Sequence, residues 1–245
     1  MSGIYRRGGS SKQAPMIKVA SYNIHKSVGL DRLRRPERIL DVLTEIDADI
    51  VGLQEADRRF GDRVSALPIQ MIADYSDYVA VPVGARPDSI GWHGNAILVR
   101  KGTEILTHAR IDLPTLEPRG AVLAEIRING IRLRVVTMHL DLSGLWRRKQ
   151  ARAIVAALDE RHPLPTILMG DLNEWRRESG CLHDFGRHYR FAPTGKSFHA
   201  QRPVARLDRI MADPSLHFSG CGVHHSVRAR HASDHLPIWA RVETA

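Results

Sequence analysis

The stretch AVLAEIRINGIRLRVVTMHL, residues 121–140, constrains this chain more than any other. Two aliphatic, β-branched runs flank Asn129-Gly130, the dipeptide that best accepts the two positive-φ positions of a tight hairpin turn. An antiparallel pair is therefore expected, its register pinned by a two-residue loop. Elsewhere strands alternate with amphipathic helices. MIKVASYNI (16–24) reads as a strand, RRPERILDVLTEI (34–46) sets Ile39, Leu40, Leu43 and Ile46 at helical spacing, and DIVGLQE (49–55) is again a strand. SALPIQMIADYS (65–76) reads as helical with Pro68 in its first turn, and strands follow at 78–84, 94–100 and 103–111. LWRRKQARAIVAALDER (145–161) is a basic helix whose apolar stripe includes Ile154, Val155 and Leu158, and TILMGDLNE (166–174) is a buried strand. Further strands are expected near 206–212, 216–224 and 236–243. Hairpins mixed with strand–helix–strand units predict an α/β sandwich with mixed sheets and outer helices. A purely parallel doubly wound sheet fits less well.

Several of these strands share a second trait: they begin apolar and end polar. SYNIH ends in Asn23 and His25, GLQE in Glu55, VTMHL in His139, and MGDLN in Asp171 and Asn173. Side chains alternate across a strand, so Ser21, Asn23 and His25 are expected on one face. Burying a carboxylate without a partner is costly, and one polar strand end is ordinary. A set made of carboxylates, imidazoles and amides points to a shared pocket at one edge of the sheets. The last third adds RLDRI (206–210), with Asp208 inside a strand-like stretch, and ASDHLPI (232–238), with Asp234 and His235 ahead of a strand. An Asp beside a His can be a mere cap, or it can orient an imidazole for proton or phosphate work.

Charge narrows the partners. Among 245 residues, 36 Lys and Arg exceed 27 Asp and Glu by nine. An anionic partner is expected: nucleic acid, a phosphorylated metabolite or an acidic lipid headgroup. Cys181 and Cys221 have no metal-like spacing and read as free thiols of a reducing, cytoplasmic compartment. No apolar run reaches the ~18 residues of a membrane span. Residues 1–15, basic and rich in Gly and Ser without an apolar stretch, read as a disordered arm ahead of one domain over 16–245.

SYNIH, GLQE, HGNAIL, MHL, GDLNE, RLDRI and SDHLP follow one another in the order and at about the spacing of the endonuclease/exonuclease/phosphatase superfamily. The resemblance covers residues 16 to about 243; each motif alone is common, and the ordered set is specific. It implies a four-layer sandwich, two mixed and mostly antiparallel sheets packed face to face with helices outside, and a Mg²⁺-dependent phosphoesterase, with Mn²⁺ as the alternative metal; the chain is expected to be a monomer. NIHK, LEPRGAV and HLDLSGLWRRKQ look more like compact bacterial members than dedicated DNA-repair enzymes.

Phosphodiester hydrolysis needs an attacking water, counter-charge for the phosphoryl oxygens and help for the leaving oxygen. Mg²⁺ takes one or two protein carboxylates and keeps sites for water and substrate. By resemblance Glu55 and Asn23 are metal residues and Asp234 a further metal-side carboxylate. Asp171 resembles the acid that orients and deprotonates water, with Asn173 aimed at the same spot. His235 resembles the histidine on the scissile phosphate, kept oriented and charged by Asp208, and His139 matches a donor to a non-bridging oxygen. Asn95 matches a phosphate-contacting or structural amide. Arg119 is either a phosphate clamp or a partner of Glu117; Lys26 is either a phosphate contact or a solvated loop residue. His25 stands where abasic-site enzymes carry an acid near the metal. An imidazole suits Mg²⁺ poorly, so His25 is expected to contact phosphate or to support the site.

Two other classes compete. A zinc hydrolase lacks its helical HExxH and a set of Cys ligands. A non-catalytic nucleic-acid module fits the charge, and LWRRKQAR could track a backbone, but such a module has no use for clustered carboxylates. The expected activity is that of a nuclease-like phosphodiesterase, the basic balance favouring nucleic acid, with a phosphodiesterase of anionic phospholipid headgroups or a phosphomonoesterase of the same fold as the alternatives.

Overall fold

The computed structural model describes residues 16–57, 64–84, 86, 88–176, 178 and 180–244; the arm expected over 1–15 lies outside them. Its two sheets have six strands each. The first runs β11 (Leu216–Val223), β12 (Ile238–Thr244), β1 (Met16–Asn23), β2 (Ile50–Gln54), β4 (Ala96–Arg100), β3 (Tyr78–Ala80). The second runs β5 (Glu104–Asp112), β6 (Gly120–Ile128), β7 (Ile131–His139), β8 (Thr166–Asp171), β10 (Asp208–Ala212), β9 (Arg190–Phe191). Among the described strand pairs only β1/β2 and β7/β8 are parallel.

Asn129 and Gly130 take φ of 50° and 79° and join Ile128 to Ile131, as the hairpin reading requires. Pro36 opens α1 (Pro36–Ile46), where its missing N–H costs nothing. The helix lays Ile39, Leu40, Leu43 and Ile46 on Ala20, Tyr22, Val51 and Leu53, the outer face of the first sheet. The shorter α2 (Ile69–Tyr75) starts directly after Pro68 and adds Ile72 to the same layer. The alternate residues Val19, Ile50, Ile97 and Val99 meet Ala124, Val135, Ile167 and Ile210 of the second sheet. Across that sheet, α3 (Gly144–Asp159) and α4 (Cys181–Gly186) cover Leu123, Val136, Leu168 and Met211. The layers are helix, sheet, sheet, helix.

The sheets approach closely at Gly52, where a Cβ would stand 2.7 Å from the Met169 side chain and 2.8 Å from the Thr137 hydroxyl. α4, β9 and the short α5 (Ala229–Ala232) carry no periodic signal and were not expected from the sequence. The strand expected over 78–84 ends at Ala80, ahead of Pro82. Among the described residues no helix is long and apolar enough to cross a membrane, and Cys181 and Cys221 are free.

The polar strand ends come together for a topological reason. Parallel pairing puts Asn23 opposite Gln54 at the ends of β1 and β2, and His139 opposite Asp171 at the ends of β7 and β8. Antiparallel pairing puts the start of β10, Asp208, opposite Asp171. The entry to β12, residues 233–236, arrives at the same edge because β12 runs antiparallel to β1.

Candidate active site

Asp171 is the hub, 1% exposed at the end of β8. Its Oδ1 accepts the Asn173 N–H at 2.9 Å, a side-chain turn that bends the chain out of the strand. Its Oδ2 accepts from Asn23 Nδ2 at 3.1 Å and lies 3.5 Å from His139 Nε2 and 3.7 Å from His235 Nε2. Gly170 sets this up: its φ is 150° and a Cβ there would fall 1.9 Å from the Met138 carbonyl oxygen, so β7 and β8 close only on glycine.

His235 Nδ1 bonds Asp208 Oδ2 at 2.9 Å, and the Ser197 hydroxyl donates to the same oxygen. Burial opposes charge on this imidazole, but Asp208 and Asp171 outweigh it and push its pKa up to about 10. His139 goes the other way. Burial, with Arg119, His235 and Lys26 adding their charges, overcomes Asp171 and pulls its pKa down to about 3. One carboxylate oxygen thus faces both a cationic and a neutral imidazole.

Glu55 follows β2 with φ 54°, and Lys26 hydrogen-bonds its Oε2. Burial raises the Glu55 pKa, but the Lys26 bond and charge, then His25 and Arg119, hold it below the usual glutamate value. Asn23 Oδ1 accepts the His25 N–H at 3.1 Å, and the Ser233 hydroxyl donates to the Asn23 carbonyl at 2.7 Å. Asp234 Oδ1 lies 3.9 Å from His25 Nδ1. Glu55 and Asn23 therefore present hard oxygens, one of them anionic, and this donor chemistry fits Mg²⁺. The Lys26 ammonium on Glu55 marks a place that already holds positive charge. Asp171, Asp208 and His235 also bring one ligand atom each within 4.8 Å of one another. With a proton held on His235, that trio is better suited to acid–base work than to ligating a cation.

Two expected strand-face placements need correction, those of His25 and Asn173. His25 does not share the Asn23 face: β1 ends at Asn23, and His25 enters a 3₁₀ turn, its Nδ1 3.0 Å from the Val28 carbonyl oxygen. Asn173 lies beyond β8 at φ 50°, with Nδ2 donated to the Leu140 carbonyl at 2.9 Å. Of the two roles open to Asn95 the contacts match the structural one: it is fully buried and gives its amide to Gly120 O at 2.9 Å, holding the start of β6. Arg119 is 3.6 Å from Glu117 and near enough to act on both Glu55 and His139. The basic helix is not free to track a backbone along its length. Arg147 is buried on Glu174 at 3.2 Å, and Arg148 and Arg152 reach Asp184.

Sequence reasoning missed Ser197, Ser233, Gln54 and Phe198. Gln54 bonds Thr137 Oγ1 at 2.8 Å across the two sheets. The Phe198 ring lies 4.9 Å from that of His235. No motif announces Ser197 or Phe198; Ser233 opens SDHLP and Gln54 lies in the polar end of GLQE, but neither has an expected role.

The family model described as Endonuclease/Exonuclease/phosphatase family matches residues 20–235. The chain belongs to this family. Its members are phosphoesterases and nucleases and generally use divalent metals. Among solved structures, a family protein from Bacteroides thetaiotaomicron superposes with a TM-score of 0.74 at 21% identity, covering 95% of this chain and 99% of that one. A mannosyl-6-phosphatase from the same organism gives 0.72 at 21%, covering 92% and 99%. D. rerio TDP2 complexed with a single-strand DNA product gives 0.72 at 19%, covering 94% and 99%. No curated protein matches the chain.

Proposed function

We propose that this family member is a Mg²⁺-dependent phosphoesterase, foremost a phosphodiesterase, working by direct attack of water within one domain over residues 16–245. The observation that carries the reading is Asp171, with Asn23, His139 and His235 around one oxygen and the Asn173 N–H on the other. Glu55 and Asn23, with Asp234 beside them, would hold the cation, which supplies charge for the phosphoryl oxygens.

The rest falls to the chain's own groups. Asp171 accepts the proton of the attacking water at Oδ2, the oxygen that faces the two imidazoles. Cationic His235, backed by Asp208, balances negative charge growing on phosphorus-bound oxygens. Neutral His139 adds a hydrogen bond without adding charge. Arg119 clamps a further phosphoryl oxygen, and Phe198 keeps water off one face of His235. A net charge of +9 favours polyanions, nucleic acid or an anionic headgroup, as substrates.

Bis-p-nitrophenyl phosphate tests this directly. Turnover should vanish in EDTA, return with Mg²⁺, and fall about 10³-fold in Asp171→Ala with an unchanged circular dichroism spectrum. A folded Asp171→Ala variant with near wild-type turnover would sink the assignment.

A further inference from the structure

A cavity of about 630 Å³ opens where β10 and the loops after β8 and β9 meet. Its lining includes four cationic side chains, Arg176, Lys196, Arg206 and Arg209, against one carboxylate, Glu178, and it includes Trp175. Arg209 is the unusual member. It is 8% exposed, yet among the described residues its hydrogen bonds run only from Nη1, to the carbonyls of Arg206 and Asp208. The Asp208 carboxylate points the other way across the strand and is committed to His235 and Ser197. Among the described residues Arg209 has no salt bridge, while the buried Arg134 and Arg147 each have one. A buried guanidinium without a carboxylate is expensive; facing a cavity, it calls for an anion from outside. Burial pulls the Arg209 pKa down more than Asp208 restores it, the same deficit in another form.

Position ties the cavity to the chemistry. Trp175 is 62% exposed, and its ring lies 6.0 Å from Phe198, whose own ring lies 4.9 Å from His235. A line of aromatic rings, Trp175 set edge-to-face on Phe198 at 83°, thus leads from the catalytic imidazole towards the cations, and the exposed Trp175 ring can hold a further ring by stacking.

We propose that this cavity binds a phosphate group of the substrate other than the one cleaved, with Arg209 as its buried counter-ion, Arg206 and Lys196 at the rim, and Trp175 against the moiety between the two phosphates. The inference rests on the phosphoesterase reading and names its substrate class: esters that carry a second phosphate.

Inorganic pyrophosphate titrated into the full chain in EDTA should perturb Trp175 fluorescence, identified as the component missing in Trp175→Phe. Arg209→Gln should weaken that titration at least tenfold. Arg206→Ala, at an exposed rim position, should weaken it as well and keeps the test decisive if Arg209→Gln does not fold. In kinetics, the kcat/KM ratio between p-nitrophenyl thymidine 5′-phosphate with and without a 3′-phosphate should favour the bisphosphate and fall at least tenfold in Arg206→Ala. Absence of a Trp175 signal, equal titrations in wild type and variants, or a ratio indifferent to Arg206 overturns the proposal. Pyrophosphate binding without hydrolysis of any phosphoester would instead remove the phosphoesterase reading, and with it the substrate's claim on the cavity. Hydrolysis without binding removes the cavity alone.

Discussion

His235 and His139 are the same side chain, face one oxygen of the same carboxylate, and are both buried, yet they are driven to opposite protonation states. The difference is Asp208, which bonds His235 alone. A raised pKa keeps the proton bound below the folded value, so His235 should remain an imidazolium from neutral pH up to about 10. In metal-free protein its ring should titrate near that value by NMR, while the His139 ring stays neutral down to about pH 3. Asp208→Asn removes the carboxylate that most favours the charge and should lower the His235 titration by more than about one pH unit. An unmoved titration would mean that Asp208 acts only through Ser197 and packing. The sequence showed both histidines as candidates but not their opposite charge states. Those depend on which carboxylate each ring touches, and Asp208 lies 27 residues from His235.

At the scale of elements, motifs were legible where they sat at strand ends and opaque where a loop supplied the contact. The hairpin, the places of most strands along the chain and the polar edge follow from turn chemistry and period-2 patterning. The 3₁₀ turn that moves His25 does not, because it is set by Asn23 Oδ1 capturing the His25 N–H. Neither did Ser197 or Phe198 announce themselves, since they reach the site from the long connection between β9 and β10. The β6–β7 hairpin carries its own test. Glu125 is 1% exposed and bonds Arg134 at 2.8 Å and Arg132 at 3.1 Å across the pair. Burial raises its pKa, but those arginines outweigh burial and hold it below the usual value. A depressed carboxylate stabilises the fold above its unfolded pKa, about 4.3, and loses that contribution as pH falls through the lower folded value. Glu125→Gln leaves Arg134 buried and unpaired, and should cost about 3 kcal/mol in urea unfolding at pH 7. The gap between wild type and variant should narrow below about pH 4. A gap independent of pH would show that the loss is one of packing rather than charge.

Across the whole molecule, the site is also a joint. Asn23 from the first sheet bonds Asp171 from the second, 148 residues away, and Gln54 bonds Thr137 across the same gap. Ser233, on the way into β12, donates to the Asn23 carbonyl. A ligand that fixes Asn23 and Glu55 therefore stabilises the packing of both sheets, not merely one loop. Lys26 already supplies one positive charge to Glu55, so a divalent cation gains the carboxylate only by competing with that ammonium. Binding to the folded state alone should contribute about 2.7 kcal/mol at a metal concentration a hundredfold above Kd. For a chain of this size that is a rise in Tm of roughly 5–10 °C. Glu55→Gln should abolish the Mg²⁺-dependent rise. Lys26→Met should lower the metal-free Tm, because Glu55 loses its partner, and should enlarge the rise by removing the competitor. Equal rises in wild type and Glu55→Gln would place the cation elsewhere, with the Asp171, Asp208 and His235 trio as the next site to test. A smaller rise in Lys26→Met would mean that the ammonium helps to hold the bound metal's anionic surroundings together instead of competing with it.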